Sequence, residues 1–185
     1  CYQLTIEPRT NLGRRCARGE FRTLDEGQER AYFLRTSDAI RSRGYDHYEI
    51  SNFARTTSKR SRHNTKYWCR APYLGVGPAA HSYRDSRRWW NVRSVSEYVR
   101  RMRDDGGAVD DSESLTQKQI RLETLFLGLR TANGVSRDFV KSLPRGRDIA
   151  DELVREGLVR WVEERLAPTL NGYLLADALP LRFEL

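Results

Sequence analysis

Residues 45–82, YDHYEISNFARTTSKRSRHNTKYWCRAPYLGVGPAAHS, decide how the chain reads. They begin on an alternating run that predicts a strand over residues 45–53, with Tyr48, Ile50 and Asn52 facing one way and His47, Glu49 and Ser51 the other. A polar, basic loop follows over residues 56–62. Next comes the cluster His63-Asn64-x-x-Tyr67-Trp68, and then a Gly75-x-Gly77-Pro78 turn that ends at His81. No other segment sets so many chemically capable side chains beside so many residues that shape the backbone.

Composition bounds what surrounds this stretch. A chain of 185 residues that is 38% hydrophobic can bury one ordinary core, or one core and a small satellite. Lys and Arg number 33 against 25 Asp and Glu, a formal charge of +8, so anionic partners are favoured. The basic residues are dispersed rather than gathered in a block, which argues against a dedicated nucleic-acid surface and is compatible with peripheral contact at an anionic membrane. Cys1, Cys16 and Cys69 are odd in number and irregularly spaced, and signal neither a disulfide framework nor a CxxC metal site. A reducing, cytoplasmic setting is expected. No apolar run approaches the ~20 residues of a membrane span.

Working outward toward the start, residues 2–6 alternate and read as a strand closed by Glu7-Pro8. A strand at the very opening of the chain predicts a sheet whose earlier strands are absent. Residues 11–23 read as a Gly- and Arg-rich loop. Residues 25–43 read as a helix capped by Asp25 and stopped at Gly44. Strand, helix and strand in that order predict a βαβ unit with parallel strands and a right-handed crossover.

Toward the other end, residues 95–104 predict a short helix with Tyr98, Val99 and Met102 inward, and the acidic, Gly-containing residues 105–114 predict a linker. From Leu115 the pattern changes. Thr116 caps a helix with Ile120, Leu125, Leu127 and Leu129 on its apolar side; Asn133-Gly134 turns; Ser136 caps a second helix and residues 148–156 form a third. A strand over residues 158–164, a return at 166–168 and a closing helix over residues 169–179 complete a winged-helix-like α+β module with a two-armed β wing. The candidate recognition helix carries Asp148, Asp151, Glu152 and Glu156 against Arg147 and Arg155, so it would repel phosphates. The expected divisions are residues 1–104, a linker at 105–114, and residues 115–185.

The chemistry of the central stretch stays open on residues alone. His63 could ligate a metal or an anionic ligand, and Tyr67 and Trp68 could stack on a flat conjugated one, a combination that suits a porphyrin. A half-buried aromatic patch with a satisfied histidine is the alternative. Gly75 and Gly77 lack the third glycine of a phosphate fingerprint. His81 could be a ligand or a core hydrogen bonder, and Glu49 and Asn52 are placed to touch a cofactor or to face solvent.

The ordered motifs Tyr2-Gln3-Leu4-Thr5-Ile6-Glu7-Pro8, Tyr48-Glu49-Ile50-Ser51-Asn52-Phe53-Ala54-Arg55, His63-Asn64-x-x-Tyr67-Trp68 and Tyr73-Leu74-Gly75-x-Gly77-Pro78-x-Ala80-His81-Ser82 resemble the C-terminal half of the radical S-adenosylmethionine haem chaperones related to oxygen-independent coproporphyrinogen III oxidase. The resemblance covers nearly the whole chain. It implies an α/β fold: the C-terminal part of a partial (β/α) radical SAM barrel, then the winged-helix-like domain. It implies that haem is bound by His63, Asn64, Tyr67 and Trp68, with His63 on the iron, and is passed to haem-accepting proteins. Ala54, Glu49, Asn52, Gly75 and Gly77 would lie near S-adenosylmethionine in the full-length parent. The family's CxxxCxxC motif for a [4Fe-4S] cluster is absent, so a fragment inactive in radical chemistry by itself is expected. Porphyrin biosynthesis by the oxidase branch and a basic winged-helix nucleic-acid binder are the alternatives.

Overall fold

The computed structural model describes residues Cys1–Leu185. The chain divides into two compact units, Cys1–Arg60 and Ser61–Leu185.

In the first unit, helix α1 (Asn11–Ala17) starts at Thr10, whose hydroxyl accepts from the Gly13 amide. Those residues were expected as a loop, and a cap plus one turn of tolerated side chains is enough to make them helical. Helix α2 (Glu26–Arg41) carries a full capping box: the Gln28 amide donates to Asp25 Oδ1 at 2.8 Å, and the Asp25 amide donates back to Gln28 Oε1 at 3.1 Å. Gly44, at φ +79°, turns the chain away from it.

The single strand expected over residues 45–53 is instead a hairpin. Strand β1 (Asp46–Glu49) reverses at Ile50-Ser51 and pairs antiparallel with β2 (Asn52–Ala54). Residues 2–6 form no strand, so the predicted parallel βαβ arrangement, and with it the parallel barrel edge, is not formed within this unit. A strand exists only where a neighbour accepts its ladder. The opening segment reaches the hairpin chiefly through the Cys1 amine on the Ser51 carbonyl at 2.7 Å, and Tyr2 and Leu4 stay largely exposed. A bulge between His47 and Glu49 also breaks the alternation, which buries Tyr48 and Glu49 together.

The second unit opens with helix α3 (Arg62–Trp68). Strand β3 (His81–Arg84) and strand β4 (Arg87–Asn91) follow, joined by Asp85-Ser86, both left-handed at φ 49° and 65° as a two-residue turn with the right twist requires. After helix α4 (Val95–Asp104), residues 109–114 form strand β5 (Val109–Ser114) on the outer side of β4, with Arg88 opposite Glu113 and Trp90 opposite Asp111. The segment expected as a linker is thus a sheet edge, and its acids suit that position because charge discourages further pairing. On α4 the expected inner face is corrected. Val99 and Met102 are exposed, whereas the Tyr98 hydroxyl accepts from the Gly77 amide and Arg101 donates to the Val109 carbonyl at 3.2 Å.

The rest of the unit follows the expected order with two differences: a two-residue strand precedes the second helix, and the closing helix is shorter than residues 169–179. Helix α5 (Gln117–Gly128) has a Thr116/Gln119 capping box. Strand β6 (Val135–Ser136), helix α6 (Arg137–Lys141), helix α7 (Gly146–Arg155), strands β7 (Val159–Val162) and β8 (Arg165–Pro168), and helix α8 (Leu170–Leu174) come after it. The sheet is antiparallel in the order β6-β8-β7. Leu125, Leu129, Val140, Leu153, Val159 and Leu166 form its fully enclosed core. Each buried aliphatic side chain contributes roughly 1.5–3 kcal/mol.

Candidate functional site

Ser61 starts α3: its hydroxyl accepts from the Asn64 amide at 3.2 Å, and its carbonyl accepts from the Thr65 hydroxyl at 2.7 Å. One helical turn then aligns His63 with Tyr67, and Asn64 with Trp68. The His63 and Tyr67 rings meet edge-on with centroids 5.1 Å apart, and His63 is exposed. Lys66 lies 5.0 Å over the Tyr67 ring and is in no ion pair. Asn64, Tyr67 and Trp68 are half-buried, and the Trp68 indole N–H is enclosed without an acceptor.

Sequence reasoning did not reach what α3 rests on. Tyr67 packs edge-on against Tyr73 at 4.7 Å, and Tyr73 lies 6.2 Å from Tyr83, across the isolated bridge that joins those two residues. Burial pushes the Tyr73 phenol above its ordinary value, so the ring stays neutral. Beneath the rings, Glu123 of α5 receives Arg88 through one carboxylate oxygen and Arg70 at 3.4 Å through the other; Arg70 also donates to the Tyr83 hydroxyl at 2.7 Å. Arg88 reaches Glu113 at 3.0 Å as well. This network fixes the sheet, the turn after α3 and α5 together. The available signal was the repeat His81-x-Tyr83 followed by Arg88-x-Trp90, an alternation only a hairpin would align.

Gly75 and Gly77 are held from within the unit. The Gly75 amide donates to Ser82 Oγ at 2.9 Å, the Gly77 amide to Tyr98, and the Gly77 carbonyl accepts from Asn91 at 2.9 Å. A Cβ on Gly75 would lie 2.1 Å from the His81 carbonyl oxygen. Close backbone approach is what these glycines permit here.

In the first unit, Glu49 is 1% exposed and its Oε1 has no partner. Asn52 stands opposite it in the ladder, and Ala54 is buried opposite Asp46. A cavity of about 190 Å³ is lined by Tyr2, Leu4, Phe33, His47 and Phe53 among others. His47 is a residue the sequence reading left without a role. Its Nε2 donates to the Ile50 carbonyl at 3.2 Å, so the Ser37 hydroxyl donates to Nδ1 at 3.0 Å, and burial pushes the imidazole below its ordinary range.

Cys1 and Cys69 are exposed, Cys16 is half-buried, and all three are free. No group of three or more His, Cys, Asp or Glu is placed to hold a metal. The residues present therefore do not fit a [4Fe-4S] cluster, which needs converging thiolates. No helix is long and apolar enough to cross a membrane.

No family model matches the chain. Its fold class is defined by a solved structure: coproporphyrinogen III oxidase (HemN) from Escherichia coli, described as a radical SAM enzyme, aligns with a TM-score of 0.61 at 16% identity over 86% of this chain and 41% of that one. The chain is thus an α/β protein with the fold of part of that enzyme. In sequence it is a homologue of proteins named Heme chaperone HemW. The one from Bacillus subtilis is 30% identical over 182 residues, 95% of this chain and 48% of the relative. The one from Mycobacterium tuberculosis is 31% identical over 178 residues, 96% of this chain and 45% of the relative. The chain spans about half the length of these relatives, and the resemblance to the C-terminal half of such proteins holds over nearly all of it.

Proposed function

We propose that this chain is the haem-handling portion of a HemW-like haem chaperone: it takes haem as cargo and passes it to acceptor proteins. The observation that carries the reading is the exposed His63, held edge-on against Tyr67 one helical turn away. An imidazole supplies an axial ligand to iron, and Tyr67 and Trp68 supply ring surface to the macrocycle. Lys66, a cation in no ion pair on the same helix, suits a carboxylate-bearing tetrapyrrole. Two relatives of similar length and identity carry the haem-chaperone name, whereas the oxidase matches at the level of fold, which favours the chaperone over porphyrin biosynthesis.

S-adenosylmethionine and the cluster would belong to a longer protein. In that context Ala54, Asn52 and the enclosed Glu49 carboxylate of the first unit would lie near S-adenosylmethionine. When bound, S-adenosylmethionine and a cluster supply reductive radical chemistry; this chain contributes no thiolate set toward it. The arrangement of α5, α6, α7 and the β6-β8-β7 sheet supports a winged-helix-like reading of the last module. Glu152 and Glu156 of its third helix region are engaged by Arg182, so a packing role suits it better than groove reading. The basic surface leaves room for peripheral contact with anionic lipid, and a cytoplasmic setting suits the free cysteines.

Titrating the chain with iron(III) protoporphyrin IX while following the Soret band tests this function. A saturable shift, weakened in His63→Ala, is expected. No shift, or one unchanged by His63→Ala, overturns it.

A further inference from the structure

Strand alternation and register put His81, Tyr83, Arg88, Trp90, Asp111 and Glu113 on one face of the β3-β4-β5 sheet. Two rows of side chains cross that face. Tyr83, Arg88 and Glu113 form the first, and the first row carries the far end of the ring series that starts at His63: the steps from His63 to Tyr67, Tyr73 and Tyr83 are 5.1, 4.7 and 6.2 Å. His81, Trp90 and Asp111 form the second row. His81 is two residues from Tyr83 along β3, about 7 Å by strand rise.

The state of His81 is unlike that of His47. His47 is half-buried with both ring nitrogens bonded, whereas His81 is exposed and its imidazole makes no hydrogen bond or ion pair. Its ring is tilted 32° against Trp90 at 5.5 Å, a contact that leaves both ring nitrogens available. Gly75 lies beside it with no side chain to cover it, and the 2.1 Å approach to the His81 carbonyl forbids any larger residue there. An uncovered imidazole beside an indole, on the same face as the ring series from His63, has the chemistry of a second axial position.

We propose that His81, backed by Trp90, is a second iron-contact position for the tetrapyrrole, so that haem is held at His63 or at His81 on one continuous aromatic face. This rests on the haem reading above. Movement between the positions is ligand exchange: one iron–nitrogen bond breaks as the other forms, and no electron is transferred. Two positions of the same chemistry let cargo leave the first without passing through free haem.

The test titrates the wild-type chain, His63→Ala, His81→Ala and the double variant with iron(III) protoporphyrin IX and, in parallel, with metal-free protoporphyrin IX. Each single variant should keep an iron-dependent Soret shift with affinity weakened on the order of tenfold. The double variant should bind the iron and metal-free porphyrins alike, and His81→Met in the His63→Ala background should restore an iron-dependent spectrum. Far-UV circular dichroism checks the hairpin, with His81→Gln replacing any variant that loses it. Loss of His81 without effect in either background overturns the proposal while leaving His63 as the haem ligand. An absent iron-dependent shift in the wild type removes the haem reading itself, and the proposal with it.

Discussion

His47 lies flat on Phe53, with ring centroids 4.1 Å apart and planes 18° apart. The stack, the Ser37 hydroxyl and the Ile50 carbonyl together hold a neutral imidazole inside the first unit. Burial places its folded pKa below the ordinary value of 6.5. In the unfolded chain the ring therefore binds its proton at a higher pH than in the folded one. The stabilisation is fully present above pH 6.5 and is lost as pH falls from there through the depressed folded pKa. Denaturant midpoints measured from pH 7.5 down to pH 5 should decline accordingly. His47→Phe should flatten that part of the profile, and an unaltered slope in the variant would refute the assignment.

Glu49 leads to an expectation opposite in sign from an ordinary buried ion pair. Its Oε1 is enclosed without a donor, so Glu49→Gln alters a group in which the burial of one oxygen is offset by no hydrogen bond. Chemical denaturation should show the variant as stable as the wild type or more stable by up to ~1 kcal/mol. A loss above that value would reveal a partner on which the carboxylate depends.

Glu123 is the shared ion-pair partner of Arg70 and Arg88, with side-chain exposures of 29%, 15% and 29%. Glu123→Ala leaves two half-buried guanidiniums to find water and should cost about 1–2 kcal/mol after solvent screening, read as a lower thermal midpoint. The Tyr67–Tyr73–Tyr83 rings sit on this network, so tyrosine fluorescence should change with it. Unchanged stability and unchanged emission would show that the ion pairs do not support the ring series.

Gly75→Ala forces a Cβ to within 2.1 Å of the His81 carbonyl oxygen, a backbone atom that cannot rotate away. Separation of the loop from β3 should cost roughly 1–3 kcal/mol. Hydrogen exchange should speed at Tyr83 and Tyr73, whose amides bond each other's carbonyls at 2.9 Å. Exchange no faster than in the wild type would mean that the loop absorbs the methyl elsewhere.

Leu125→Ala empties the centre of the last module, where Leu125 is wholly enclosed. A cost of about 2–5 kcal/mol is expected, the spread reflecting how far the neighbouring side chains collapse. Far-UV circular dichroism during urea unfolding measures it, and a loss under 1 kcal/mol would disprove a cooperative core there.

What the sequence determined by itself is local. Asp25 with Gln28 and Thr116 with Gln119 specify helix starts through atoms three residues apart, and Gly44, Gly134 and Gly157 mark stops through a conformation other residues resist. The His63-Asn64-x-x-Tyr67-Trp68 pattern was legible for the same reason, since one helical turn relates its rings. Pairing was decided only by the tertiary structure. Residues 2–6 alternate as well as any strand yet find no ladder; residues 45–53 fold back through a bulge; and the acidic run 109–114, unpromising by composition, becomes a sheet edge because β4 offers it hydrogen bonds. The convergence of Tyr73, Tyr83 and His81 on one face with the His63 helix depends on contacts between residues far apart in the chain, and no local propensity encodes such contacts.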